Sequence, residues 1–500
     1  MTTTFTRRDW LAAATLLTTA AFGKAQKPPY QYILANQSGA TPLLPADRYI
    51  PFDWAFNEIP VQGEGPTLTW NPAGATKRSQ ATLRLTSATD VREDCLVGVK
   101  TAVSGKTIGV LTVRFAMYLQ PFELPIPAAD LPAVLAEGVT LTMQKGSKPF
   151  WFFTAGNGPQ TAPDAYLPHL LLYEKTDAGA WKERLVSLAS VQTFGWMEGC
   201  VLDGLHELSA RSPRAKAVLA QHLDLFFGQN SLVYANLNNR KAVGIINTVE
   251  SILPFAILAQ TSPTHPLLQT AIRFCETHAS ADGVIADGTG SNRMVKTEEC
   301  YTVSYPLAVL AKTLNRPDLA HLAAQTLQAR VTLLDKGTRI FQRGAEQEAP
   351  VFENWSRGVA WYLLGLVKTL AHLPDNGQSA QIQSLKAALQ NAVKNVIAYQ
   401  QPNGLWYCFM HQPETGYETS GTAGIAAALV YGQERGLLPE TVRAVAQKAR
   451  RGLNAYLTPD GYLTGTAQGN KGGDALQRNG FRVISPYTLG FLAHLDSVKS

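Results

Sequence analysis

From about residue 194 onward the chain alternates between two kinds of helix, and this alternation constrains the fold more than any other feature. Segments such as SGTAGIAAALVYG (420–432) and PYTLGFLAHL (486–495) are apolar on most sides and rich in small residues. Segments such as SAQIQSLKAALQNAVKNVIAY (379–399) and PETVRAVAQKARRGLNAYL (439–457) carry a wide polar face. A helix apolar all round is buried, and one with a polar stripe faces water. Inner and outer helices taking turns describe a ring of helical hairpins, the (α/α)6 toroid. Apolar periodicity predicts helices over 195–210, 213–227, 243–260, 265–278, 300–314, 317–333, 356–373, 379–400, 419–435, 439–457 and 484–496. One more is needed for closure, to be sought in KERLVSLASV (182–191) or in the preceding region. A toroid binds at one end of its inner ring, so functional side chains are expected where inner helices start.

The region before the helices reads as strands. TLRLTSA, CLVGVKTAV, TIGVLTVRFAMYL, GVTLTM and PFWFFTA are short, β-branched or aromatic, and bounded by turn residues. One helix, AADLPAVLAEG, interrupts them. Strands at this spacing predict a β-sandwich-like domain over 30–191, followed by the helical domain over 192–500. A length of 500 residues fits two domains. Residues 1–26 stand apart: Arg7 and Arg8, a short apolar run and small residues up to Ala25 are the layout of a twin-arginine export signal. The mature protein is therefore expected in the periplasm or outside the cell, without a membrane anchor.

A 45% hydrophobic and 16% charged composition describes a globular chain, and the net charge of +6 is spread without a basic stripe for nucleic acid. The five cysteines are far apart and suit buried free thiols. The nine histidines show no ligand spacing, so neither a metal nor a cofactor is expected. GNKGGD (469–474) lacks the strand-to-helix context of a phosphate loop and reads as a loop over the cleft.

Several ordered motifs carry a family resemblance: GWMEGCVLDGLHEL, NTVESILPFAILAQ, EECYTVSYPLAVLAK, ENWSRGVAWYLLGL, QQPNGLWY, YETSGTAGIAAALVYG and DGYLTGT. Over about 194–497 the chain resembles the unsaturated glucuronyl and rhamnogalacturonyl hydrolases, glycoside hydrolase families 88 and 105. The β-region has no counterpart in their minimal members. The resemblance implies removal of a 4,5-unsaturated uronic acid from the non-reducing end of an oligosaccharide. The first step is hydration of the C4=C5 bond, which needs a carboxyl to deliver a proton and activate water. Counting back from Pro254 and Pro306 puts Glu250 and Glu299 where the family has aspartates. Glu299 is then the principal acid/base and Glu250 its partner. Slipping the count by one residue exchanges Glu299 for Glu298. The resemblance further places Trp355, Arg357, Trp361, Trp196, Glu418 and, in the position of a family histidine, Gln342 at the substrate.

Arg357 carries the sharpest expectation. It lies in the first turn of a helix beginning near Asn354, where the positive end of the helix dipole favours a carboxylate. A solvated arginine paired with Glu353 is one reading; a guanidinium between Trp355 and Trp361 that grips a uronate carboxylate is the other. Trp355, preceding its helix, is expected to be an exposed sugar platform. Glu299 could instead satisfy free N–H groups at a helix start. Two other functions remain open: hydrolysis of a saturated glucuronoside by paired carboxylates, and binding of oligosaccharide without turnover.

Overall fold

The computed structural model describes residues 28–498 apart from 39–41, 43, 46, 72–77, 157–161, 175, 287–292 and 375–378. The expected export segment, 1–26, lies outside the described residues.

The sheet-rich region is antiparallel throughout. Its strands are β1 (Tyr30–Ser38), β2 (Phe56–Ile59), β3 (Thr67–Trp70), β4 (Gln80–Thr86), β5 (Asp94–Thr101), β6 (Thr107–Arg114), β7 (Pro121–Ile126), β8 (Val139–Lys145), β9 (Phe150–Phe153) and β10 (His169–Tyr173). Eight of them form one sheet in the order β6-β5-β8-β3-β1-β10-β4-β7, and β2 pairs with β9. β1 joins the two halves: Tyr30 to Leu34 pair with β10, and Ala35 to Ser38 pair with β3. Alternate side chains of a strand face one side. Val97 and Val99 of β5, Leu141 of β8, Leu83 and Leu85 of β4 and Leu170 of β10 accordingly meet in one core shared by both halves. Helix α1 (Leu131–Glu137) interrupts the strands where a helix is expected.

Six helices of the C-terminal region are buried along much of their length: α3 (Trp196–Ser209), α5 (Leu253–Thr261), α7 (Tyr305–Leu314), α9 (Ser356–His372), α11 (Thr419–Glu434) and α14 (Thr488–His494). Each packs on the next, and α14 returns against α3. A more polar helix packs on the outside of each: α4 (Pro213–Phe227) on α3, α6 (Leu268–His278) on α5, α8 (Pro317–Leu334) on α7, α10 (Ala380–Ala398) on α9, α12 (Val442–Leu453) on α11, and α2 (Ala180–Leu185) on α14. The helix sought in 182–191 is thus α2, shorter and earlier than KERLVSLASV. A short α13 (Asp474–Arg478) lies in the final loop. The last helix meets the first at two glycines. A Cβ on Gly490 would lie 2.0 Å from the Cys200 carbonyl oxygen, and one on Gly204 would lie 2.5 Å from the Gly490 Cα. All five cysteines are free and buried, and among the described residues no helix is long and apolar enough to cross a membrane.

Two helix starts differ from the periodicity. The segment expected as helix from 243 is strand at Lys241–Val243, a 3-10 turn at Val249–Ile252, and α-helix only from Leu253, with Pro254 in its first turn. The segment expected from 300 begins as a π turn, Cys300–Ser304, and becomes α-helix at Tyr305. Pro306 has no N–H to give the carbonyl four residues back, so the turn before it is free to take the wider π form.

A buried ion cluster joins the β-region to the helices. Asp460 lies between Arg84 of β4 (2.5 Å) and Arg184 of α2 (2.9 Å), with Tyr32 of β1 donating to it at 2.5 Å. The β6–β7 connection reaches the mouth of the helical ring: Tyr118 donates to the Ala235 carbonyl (2.7 Å) and Gln120 to the Ile484 carbonyl (3.1 Å).

Candidate active site

At the mouth a cavity of about 380 Å³ is lined by Trp196, Glu250, Ser251, Asn236, Arg92 and Lys471, among others. Trp196, the first residue of α3, is half-buried and packs edge-on against Trp361 (5.5 Å) and Tyr487 (4.8 Å). Glu250 sits on the 3-10 turn before α5, where Pro254 has forced the chain out of helix, and its Oε1 accepts from Lys296 Nζ at 3.1 Å. Arg92 and Met117 of the lining come from the β-region.

Lys296 leads to Glu298. Lys296 ends β13 (Val295–Lys296) and Glu298 follows it; β13 is the edge of a small sheet with β14 (Phe341–Ala345) and β15 (Glu348–Glu353). Gln342 on β14 donates its Nε2 to both carboxylate oxygens of Glu298, at 2.7 and 2.9 Å. Asn470 adds a contact at 3.5 Å and Thr297 one at 3.4 Å. Burial pushes the Glu298 carboxyl up to about 7, and the negative charge of Glu250 adds to the rise, against the pull of Lys296 and the Gln342 amide. Asn470 and Lys471 lie in GNKGGD, which does form a loop over this site. Burial, together with the like charges of Arg92 and Lys296, lowers the Lys471 amine, while Glu250 and Asp90 oppose the change.

Glu299 points elsewhere. It is fully buried, pairs with Arg330 of α8 at 2.6 Å and accepts from the Lys296 backbone N–H at 2.9 Å. Expected as the principal acid/base, it instead pins the inner-helix start to the outer helix. The cause is the π turn. A count back from Pro306 that assumes an α-helix stops one residue short, because the π turn holds an extra residue, and the residue facing Glu250 is Glu298. Pro306, seven residues after Glu299 and eight after Glu298, was the signal available in the sequence.

Arg357 is corrected too. It is 4% exposed and donates to the carbonyls of Ala467 (2.5 Å) and Gln468 (2.7 Å), while its guanidinium lies 4.5 Å over the Trp355 ring. The cation at the helix start is therefore satisfied by carbonyl oxygens, and its effect is to hold the strand leading into the GNKGGD loop. Glu250, Glu299 and Arg357 do not share one cavity. Trp355, expected as an exposed platform, is 1% exposed and packs among Phe352, Phe409 and Cys408. It is also the residue that caps α9, while the Asn354 amide oxygen accepts from the Ile340 N–H at 2.9 Å. Trp361 is buried against Tyr301 behind Trp196. Glu418, expected at the substrate, is buried as the cap of α11, accepting from the N–H groups of Ser420, Gly421 and Ala467. Of the expected residues, Glu250 and Trp196 line the cavity, and Gln342 is bonded to Glu298, whose carboxyl lies near Glu250. Lys296 and Arg92 carry no distinctive motif and emerge only from the fold, while Asn470 and Lys471 were legible only as members of the GNKGGD loop.

The glycosyl hydrolase family 88 model matches residues 175–494. A 24.9 kDa protein in the picA locus of Rhizobium radiobacter is 28% identical over 162 residues, 29% of this chain and 67% of that protein. Among solved structures, a possible member of GH105 from Salmonella enterica serovar Paratyphi A superposes with a TM-score of 0.53 at 21% identity. It covers 61% of this chain and 83% of its own. A family 105 glycoside hydrolase of C. acetobutylicum superposes with a TM-score of 0.53 at 17% identity, covering 64% of this chain and 98% of its own. These two likenesses concern the fold, while the family match spans more than half of the chain. With its helices and paired carboxyls already placed, this chain belongs to glycosyl hydrolase family 88 and is a glycoside hydrolase.

Proposed function

We propose that this enzyme removes a 4,5-unsaturated uronic acid from the non-reducing end of an oligosaccharide, with Glu298 as the acid/base and Glu250 as its charged partner. The observation that carries this reading is Glu298 itself, a half-buried carboxyl tuned to about 7 beside the Glu250–Lys296 pair. At that value it is protonated in part of the population at neutral pH, so one group can serve as acid and then as base. Glu298 gives its proton to C4 of the vinyl ether. Water adds to C5, and the Glu298 carboxylate takes the water's proton. The hemiketal so formed opens, and the resulting hemiacetal at C1 releases the next sugar. Trp196 offers an aromatic face to the ring, and Lys471 with Arg92 supplies the positive charge a uronate needs, the part expected of Arg357.

The test is ultraviolet absorbance of lyase-generated unsaturated oligosaccharides. Loss of the C=C band with release of the shortened oligosaccharide is expected. Release of saturated glucuronic acid from a saturated substrate without that loss, or binding with no turnover of either, would overturn the proposal.

We read the closed succession of inner and outer helices as an (α/α)6 toroid over 192–500, preceded by a β-sandwich-like domain over 30–191. Export by the twin-arginine pathway rests on Arg7 and Arg8; replacing both with lysine should retain the protein in the cytoplasm on fractionation.

A further inference from the structure

The cavity beside Trp196 does not end at Arg92. A second cavity of about 310 Å³ opens on the far side, and the two share Arg92, Leu237 and Asn238. The partition between them is the tip of a hairpin from the helical region, β11 (Val233–Ala235) and β12 (Lys241–Val243). That tip is latched to the β-region. The Asp90 N–H donates to Asn239 Oδ1 at 2.8 Å, the Tyr49 N–H to the Asn239 carbonyl at 2.6 Å, Arg48 to the Asn238 carbonyl at 2.9 Å, and Arg92 to the Leu237 carbonyl at 2.8 Å. The two parts of the chain thus build one fixed wall, and the second cavity is made mostly by the β-region that minimal relatives lack.

Its chemistry is cationic and aromatic. Arg48, Arg92 and Lys148 line it, and so does the half-buried Trp151. Two carboxylates also face it, and both are engaged: Asp90 pairs with Arg92, and Glu93 accepts from the backbone N–H groups of Ser147 (3.0 Å) and Lys148 (3.1 Å). The Arg92 side chain remains 41% exposed. Guanidinium and ammonium groups beside an indole suit a sugar ring that carries an anion.

We infer that the second cavity is a subsite for the reducing-side sugars of the substrate, selecting a unit that bears a carboxylate or a sulfate. The inference rests on the proposed function: with the terminal uronic acid beside Trp196, the oligosaccharide continues past Arg92 onto Arg48, Lys148 and Trp151. A longer acidic substrate then uses both cavities, whereas a disaccharide is confined to the first.

The test compares kcat/KM for unsaturated disaccharides and tetrasaccharides, prepared from a non-sulfated uronate polymer and from a sulfated one, in the wild-type enzyme and in the Lys148→Ala, Trp151→Ala double variant, which leaves the hairpin latches intact. The wild type should favour the tetrasaccharide by roughly 10- to 100-fold, the worth of one or two charge-assisted hydrogen bonds. The double variant should lose that preference and keep its disaccharide rate. A preference confined to one polymer identifies the anion as carboxylate or sulfate. Equal losses on both lengths, or no length preference in the wild type, would overturn the subsite. If no substrate is turned over, the function proposal fails on its own. Calorimetric binding of the same tetrasaccharides then decides the subsite: weakening by a similar factor in the double variant supports it, and unchanged affinity overturns it.

Discussion

Glu299 answers to a buried guanidinium and Glu298 to a neutral amide, and this difference in partner sets what each substitution does. Glu299→Gln leaves Arg330 charged in a fully buried site, so it should cost about 3–5 kcal/mol of stability, read from urea denaturation. Glu298→Gln should fold normally, bind substrate and lose roughly 100- to 10,000-fold in kcat. Full activity in that variant would remove the acid/base assignment. The pH profile follows from the same carboxyl. In the proposed mechanism protonated Glu298 is the acid, so kcat/KM should decline as pH rises through about 7. Gln342→Leu removes the amide that favours the ionised form, so that limb should move to higher pH. Stability has its own sign. A carboxyl whose folded value lies above its unfolded value of roughly 4.3 destabilises the fold progressively as pH rises from the lower value to the higher. The Glu298→Gln protein should therefore gain on the wild type between pH 5 and pH 8 in thermal melts.

The inner helices were legible as elements because each is apolar on nearly every side, and α11 and α9 follow their expected limits within about two residues. Their starts were less legible. Pro254 and Pro306 each sit in a first turn, and what precedes them is a 3-10 turn in one case and a π turn in the other. Periodicity does not distinguish these from α-helix over four or five residues, yet the choice decides which carboxyl faces Glu250. The small residues noted in the sequence have their reason at the α3–α14 crossing. Gly490→Ala places a methyl group 2.0 Å from a backbone oxygen that has no side-chain freedom to yield. A loss of about 1–3 kcal/mol is expected, seen as an earlier thermal transition without loss of helical circular dichroism at low temperature.

Across the whole molecule, Asp460 is the joint. Its surroundings come from β1, β4 and α2, so the β-region is seated on the ring by a charge cluster in which Asp460 and Arg84 are fully buried. Burial opposes ionisation of Asp460, and the guanidiniums of Arg84 and Arg184 outweigh that and hold its carboxyl well below the ordinary range. Its contribution is therefore present above the unfolded aspartate value of roughly 3.9 and is lost as pH falls below it. Asp460→Ala strands two buried arginines and should cost about 3–5 kcal/mol. Because Arg92 and Met117 reach the cavity from the β-region, the same variant should raise KM before it unfolds, measurable by steady-state kinetics at moderate temperature.

The sequence by itself determined the two-part organisation, the alternation of buried and exposed helices, and a short set of chemical candidates that held Glu250, Trp196 and Gln342. Those properties are local: burial preference and periodicity are written in each segment. Only the tertiary structure decided which acid of the Glu298–Glu299 pair meets Glu250, that Arg357 is spent on the carbonyls of Ala467 and Gln468, and that the cationic side chains lining the cavity are Arg92 and Lys471. A side chain's duty depends on which distant groups desolvate, pair with or repel it, and those partners are set by how the chain closes on itself.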